Sequence, residues 1–176
     1  AKADITISTN LMEARTLCGD PQLAEAMQEL TGPDQIWDTK AFFSAKWAEQ
    51  IARHDKFNNT EFNLEPDIKS APGGLRDIQN IGWVAKRHFD AQRMSELVSL
   101  GFLTADEYDI LNSGHLFLWE VRYALHLITG RGENRLLFDY QRAVADMLGY
   151  RDSEANLAGE KFMKRFYRVA LSISQL

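Results

Sequence analysis

The chain has 176 residues, 45% hydrophobic and 26% charged, with a formal net charge of −5. That length allows one domain with a real core, and the acidic balance excludes nucleic-acid binding by bulk charge. No apolar run is long enough to cross a bilayer and none reads as a signal peptide, while the single cysteine, Cys18, excludes an internal disulfide and fits a reducing cytoplasm.

The one strand-like alternation is Asp4–Ser8, and it is short. Leu11–Cys18 reads as a helix or its end, stopped by Gly19, with Cys18 as a small buried hydrophobe. Pro21 suits the first position of a helix running to about Leu30, and Thr31-Gly32-Pro33-Asp34 reads as a turn. Asp38 or Thr39 is placed to cap a helix to about Phe57, with Ala41, Phe42, Ala45, Ala48, Ile51 and Ala52 inward. Asn58–Gly74 holds the pair Asn58-Asn59, two prolines and two glycines and reads as one long ordered loop. A helix follows over Leu75–Phe89, then a short one over Arg93–Leu100 ended by Gly101. Thr104 and Glu107 form a capping-box pattern that opens the longest helix, to about Thr129. Asp139 is expected to cap a helix that Gly149 closes, and Ser153 to open the last one, striped by Leu157, Phe162, Phe166, Val169 and Ile173. The expected fold is all-α: a bundle of about six to eight helices, the long ones antiparallel. Ala1 as first residue and unbroken periodicity through Leu176 read as a piece of a longer protein.

The polar run Glu65–Gln79 is the least core-like stretch, so it is the candidate site. On a helical wheel Leu75, Ile78, Gly82, Ala85 and Phe89 share one face, with Arg76, Gln79, Asn80, Trp83, Lys86 and Arg87 opposite. Cations beside a tryptophan on an exposed face suit an anion joined to a flat ring. Gly73 and Gly74 at the helix start would leave backbone N–H groups open to a phosphate, or simply make the turn. Asp77 reads as a first-turn cap or a partner of Lys69 or Arg76.

Asn63–Lys69, Pro72–Ile78 and Trp83–Phe89 resemble the bacterial protein-PII uridylyltransferase/uridylyl-removing enzymes. Leu11–Asp20, Gly101–Thr104, Arg122–Leu127 and Asn134–Asp139 extend the likeness over nearly the whole chain. Glutamine-synthetase adenylyltransferases share a similar Gly-Gly-hydrophobic-Arg-acid-Ile element, so that element alone does not separate the two families. The resemblance implies residues 1–176 to be the helical domain of a multidomain nitrogen sensor, with a nucleotidyltransferase domain upstream and HD and ACT domains downstream. It implies PII and UTP or UMP as partners, glutamine as an effector acting through other domains, a cytoplasmic location, and magnesium held by the full enzyme. No Gly-Ser loop with Asp-x-Asp occurs here, so the isolated chain is expected to be inactive, with no catalytic or metal-binding residues of its own. Gly73, Gly74, Arg76, Asp77, Lys69, Trp83 and Arg87 are the candidate nucleotide- or substrate-binding residues. A PII-docking module and a plain scaffold between catalytic domains are the alternatives.

Three other features read as structural. His54-Asp55 spells HD but lacks the further ligands a phosphohydrolase needs, and His54 is expected at the surface. His115 and His126 lie three turns apart, roughly 16 Å by helical rise, too far to share a metal. Leu116, Val121, Leu125 and Ile128 read as core, and Arg131–Arg135 as a charged turn with Asn134 capping.

Overall fold

A computed structural model describes residues 4–32, 35–89, 91 and 93–176. Eight helices account for its regular structure: α1 Ile5–Met12, α2 Pro21–Thr31, α3 Thr39–Asp55, α4 Leu75–Phe89, α5 Glu96–Ser99, α6 Ala105–Thr129, α7 Phe138–Met147 and α8 Ala158–Ser174. Among the described residues there is no strand, only an isolated antiparallel bridge between Asp67 and Arg135. The fold is all-α, as the periodicity requires.

The local signals explain most helix starts. Asp38 accepts the N–H groups of Lys40 and Ala41, Asp20 that of Gln22 ahead of Pro21, and Thr104 and Glu107 close the capping box on α6. Gly130 ends α6 in the left-handed conformation that lacks a steric penalty only in glycine. Other expectations fail for identifiable reasons. Asp4–Ser8 is not extended: Asp4 caps α1, accepting the Thr6 and Ile7 N–H groups. Of Leu11–Cys18 only Leu11 and Met12 are helical, as the end of α1, and Cys18 is exposed rather than buried. Asp139 does not cap α7. Glu65, 73 residues earlier, accepts the Phe138 N–H instead. Ser153 does not open α8 either; Asp152 accepts the Ala158 N–H and Glu160 that of Leu157. Pro33 and Asp34 of the expected turn lie outside the described residues.

The main core joins α4, α6, α7 and α8 with the turn that precedes α4. Ile68, Leu75, Leu111, Phe117, Leu118, Val121, Leu125, Leu136, Val144, Phe162, Phe166 and Ile173 are all buried in it. Gly114 allows the close crossing of α6 and α8, since a Cβ there would lie 2.9 Å from Ile173 Cδ1. A smaller cluster of Ala85, Ala91 and Leu97 closes the end near α5. On α6, Leu116 is exposed, unlike its expected companions Val121 and Leu125.

His115 on α6 accepts a hydrogen bond from the Trp119 indole, Nε1 to Nε2 at 2.7 Å. The ring is therefore held neutral, and burial pushes its pKa below the ordinary imidazole value. A folded-state pKa below the unfolded one makes this contribution to stability fully present above the ordinary imidazole value. It is lost as pH falls through the lower, folded-state one. A pH titration of the imidazole resonances checks this: His115 is expected to titrate below the ordinary value, and a midpoint at or above it contradicts the reading.

The candidate site

Residues 65–77 form a turn that is mostly inside the protein. Pro66, Ile68 and every residue from Ala71 to Leu75 are buried, so the stretch that looked least like core is core. Its polar groups explain how. Asp67 folds back on the chain, its Oδ1 accepting the N–H groups of Lys69 (3.0 Å) and Ser70 (2.6 Å). The Ile68 N–H donates to the Asn134 carbonyl and the Leu136 N–H to the Pro66 carbonyl. The segment 131–136 thus pairs with the turn as a short ladder. Glu133, not Asn134, shapes that segment by accepting the N–H groups of Asn134 and Arg135, while Asn134 Oδ1 accepts from Arg122.

Gly73 has φ +72, and a Cβ built on it would lie 2.0 Å from the backbone oxygen of Ala170 in α8. The residue is glycine because a helix backbone occupies the space a side chain would need. Gly74 is similarly enclosed by the carbonyls of Ala71, Ile68 and Lys69. The Gly73 N–H donates to Asp77 Oδ2 at 2.7 Å, Gly74 N–H to Ala71, Leu75 N–H to Ile68, and Arg76 N–H to Lys69. The amides that the sequence offers to a phosphate are therefore already engaged within the chain, and an anion would have to displace one of these bonds.

Asp77 is the centre of the arrangement. Besides the Gly73 amide, its carboxylate accepts from Arg53 Nη2 and contacts His54 Nε2 at 3.0 and 3.2 Å. Arg53 Nη1 also donates to the Ser70 carbonyl at 2.7 Å, so one guanidinium ties α3 to both ends of the turn. Asp77 thus pairs with Arg53 and His54 rather than with Lys69 or Arg76. His54 is not a surface residue; its side chain is 19% exposed and serves this carboxylate. The inward face of α3 carries Phe42, Lys46, Arg53 and His54, whereas Ala48, Ile51 and Ala52 are exposed. The hydropathy wheel is right at Phe42 but wrong over the second half of the helix, because it cannot see that α4 presents Asp77.

The polar side of α4 is covered too. Asn80, Trp83 and Arg87 are buried. Trp83 Nε1 donates to Glu13 at 2.8 Å, and Lys86 Nζ donates to the Met12 carbonyl at 2.6 Å, so the segment around α1 lies over this face. Lys46 sits 4.3 Å from the Trp83 ring centroid, and the Arg87 guanidinium lies 5.6 Å from the Phe42 ring. The expectation of an open cation-and-tryptophan face fails because α1 and α3 close it.

Two candidates remain accessible. Lys69 and Arg76 are both half-buried, and their backbones are joined by the Arg76 N–H to Lys69 carbonyl bond of 2.8 Å. Arg76 rests 5.1 Å from the Trp83 ring centroid. Among the described residues neither side chain forms an ion pair or a hydrogen bond with the protein, in contrast to Arg53. The structure thus brings two unneutralised cations to one rigid turn, with Gly73, Gly74, Asp77 and Trp83 holding that turn from behind. Arg87 lies in the same helix but is buried against Phe42.

A family model described as GlnD PII-uridylyltransferase matches residues 41–176. The chain belongs to the PII-uridylyltransferase family. Bifunctional uridylyltransferase/uridylyl-removing enzymes from Stutzerimonas stutzeri, Azotobacter vinelandii and Pseudomonas aeruginosa are 53%, 52% and 51% identical to it over 176 residues. Each alignment takes in all of this chain and 20% of the relative, so the chain spans about one fifth of the length of the curated relatives it matches. No solved structure matches. The family model starts inside α3, so α1 and α2 fall outside it although the relatives align there. Membership of the PII-uridylyltransferase family, rather than the adenylyltransferase one, accounts for the longer run around the Gly73-Gly74 element.

Magnesium, which the family resemblance implies, does not fit the donors present. Among the described residues no group of three or more His, Cys, Asp or Glu side chains is placed to hold a metal ion. Asp77, the carboxylate nearest the candidate cations in sequence, has both oxygens engaged. No described helix is long and apolar enough to cross a membrane.

Proposed function

We propose that this chain is the helical portion of a bifunctional uridylyltransferase/uridylyl-removing enzyme and that it holds Lys69 and Arg76 against the phosphates of UTP or the uridylyl group on PII. The observation that carries this reading is the pair of half-buried cations without an anionic partner among the described residues, mounted on a mostly buried turn braced by hydrogen bonds. Two half-buried charges left unneutralised cost stability unless a ligand or partner supplies the opposite charge. The glycines, Asp77, Trp83 and Arg87 act as supports that fix where these charges stand. The carboxylates that bind magnesium would come from other segments, so this chain alone does not transfer UMP. Glutamine sensing through other domains and a cytoplasmic setting belong to the same proposal.

A chimaera tests it. This chain replaces the corresponding segment of the Azotobacter vinelandii enzyme, and UMP transfer from UTP to PII is measured. Replacing Arg76 by Ala is expected to lower kcat/KM about 10- to 100-fold, the range for losing a charge-assisted hydrogen bond, with the melting temperature nearly unchanged. If instead activity falls only in proportion to stability, the domain is a scaffold. If transfer stays intact but PII is no longer retained, the cations serve docking.

A further inference from the structure

The polar face of α4 already holds a peptide, and that peptide is part of this chain. Where α1 ends, Met12 offers a main-chain carbonyl and Glu13 a carboxylate. Lys86 Nζ donates to the first at 2.6 Å and Trp83 Nε1 to the second at 2.8 Å. The surface beneath is cationic. Lys46 and Arg76 lie 4.3 and 5.1 Å from the Trp83 ring centroid, and Arg87 is buried one turn further along α4. A cavity of about 280 Å³ opens beside the contact, lined by Glu13 from the covering segment and by Trp83, Lys86 and Arg93 from the body.

The covering segment is held by polar contacts at its rim rather than by a shared core. Neither α1 nor α2 gives a residue to either hydrophobic cluster. α1 buries only Ser8 and Thr9, and α2 buries no residue at all. Glu13 is exposed, so water competes for its bond to the indole. A segment with so few buried apolar contacts opens without unfolding the rest. Opening would uncover Trp83 and Lys86 beside Arg76, a tryptophan among cations.

We propose that residues 4–31 form a displaceable strap and that the face beneath it binds an acidic peptide of a partner protein. The strap's own contacts define the chemistry of the occupant: a main-chain carbonyl for Lys86, then a side-chain carboxylate for the Trp83 indole. Further carboxylates meet Lys86 and Arg93 at the cavity, the mode by which clustered cations read acidic motifs. Glu13 is the internal competitor. The affinity of the closed chain is therefore that of the open face reduced by the fraction of chains that are open. Binding here needs neither UTP nor transfer, so a failed test leaves the roles of Lys69 and Arg76 untouched.

The probe is an acetylated hexaglutamate amide titrated into the 176-residue chain, followed in ¹H–¹⁵N spectra and by hydrogen exchange. A saturable shift of the Trp83 indole is expected in the millimolar range or tighter, with the α1 amides exchanging about tenfold faster in the bound state. Glu13→Gln keeps an acceptor oxygen but not the charge. It is expected to bind the peptide about threefold or more tightly, with an unchanged far-ultraviolet spectrum. Sodium phosphate at the same ionic strength is expected to leave the indole unshifted. Four results would each overturn the proposal: no saturable indole shift, α1 exchange unchanged by bound peptide, equal affinity in Glu13→Gln, or the same indole shift with phosphate.

Discussion

Gly73→Ala is expected to destabilise the protein by about 2–5 kcal/mol, the largest effect of any single methyl in the chain. Two costs combine. A left-handed backbone penalises a Cβ by about 1–2 kcal/mol, and Gly73 stands at φ +72. The added carbon would also meet the Ala170 backbone at 2.0 Å, a contact that α8 can relieve only by moving; overpacking of that kind costs about 1–3 kcal/mol. Gly130→Ala separates the two. It has φ +65 but nothing within 4 Å of its Cβ position, so it carries the conformational cost alone. Urea unfolding of both variants gives the comparison. If they lose the same stability, the close approach of the turn to α8 contributes nothing.

Asp77→Ala is expected to cost about 3–5 kcal/mol, the range for leaving one side of a buried ion pair unpaired. The carboxylate is 6% exposed and Arg53 13%, so solvent cannot replace what is lost. Three groups lose their acceptor together: the Arg53 guanidinium, His54 and the Gly73 amide. Asp77→Asn keeps an oxygen for the amide but not the charge, and should fall between wild type and Ala. Because Arg53 and Asp77 touch, Arg53→Met combined with Asp77→Ala should cost less than the two changes added, by about 0.5–3 kcal/mol. Additive losses in thermal unfolding would mean that the ion pair is not a unit.

The same residues show what a single sequence discloses. Periodicity located α4 from Leu75 to Phe89, and the caps Asp38 and Thr104 and the first-position Pro21 stand where their chemistry predicts. These are local signals, decided within one or two turns. What stayed hidden depends on partners far along the chain. Lys46, Arg53 and His54 count as surface on any hydropathy scale, yet they face inward because Trp83 and Asp77, 23 or more residues away, complete them. Glu65 replaces Asp139 at the start of α7 across 73 residues. The Glu65–Gln79 run looks unlike core in sequence because its burial depends on polar groups that pair within the fold. Its glycines and Asp77 answer to packing, and the charge open to a ligand is confined to Lys69 and Arg76.

The seat of Gly73 on Ala170 also sets an order of events during synthesis. Of the eight described helices α8 is made last, and besides that seat it supplies Tyr167, whose hydroxyl donates to the Asn63 carbonyl across 104 residues. A nascent chain that has emerged only through α7 has its ladder between the turn and residues 134–136 within reach, but not the surface that closes over the turn. The two cations therefore reach their fixed positions only after Ala170 leaves the ribosome. A chain stalled before that point would carry the residues of the site without its shape.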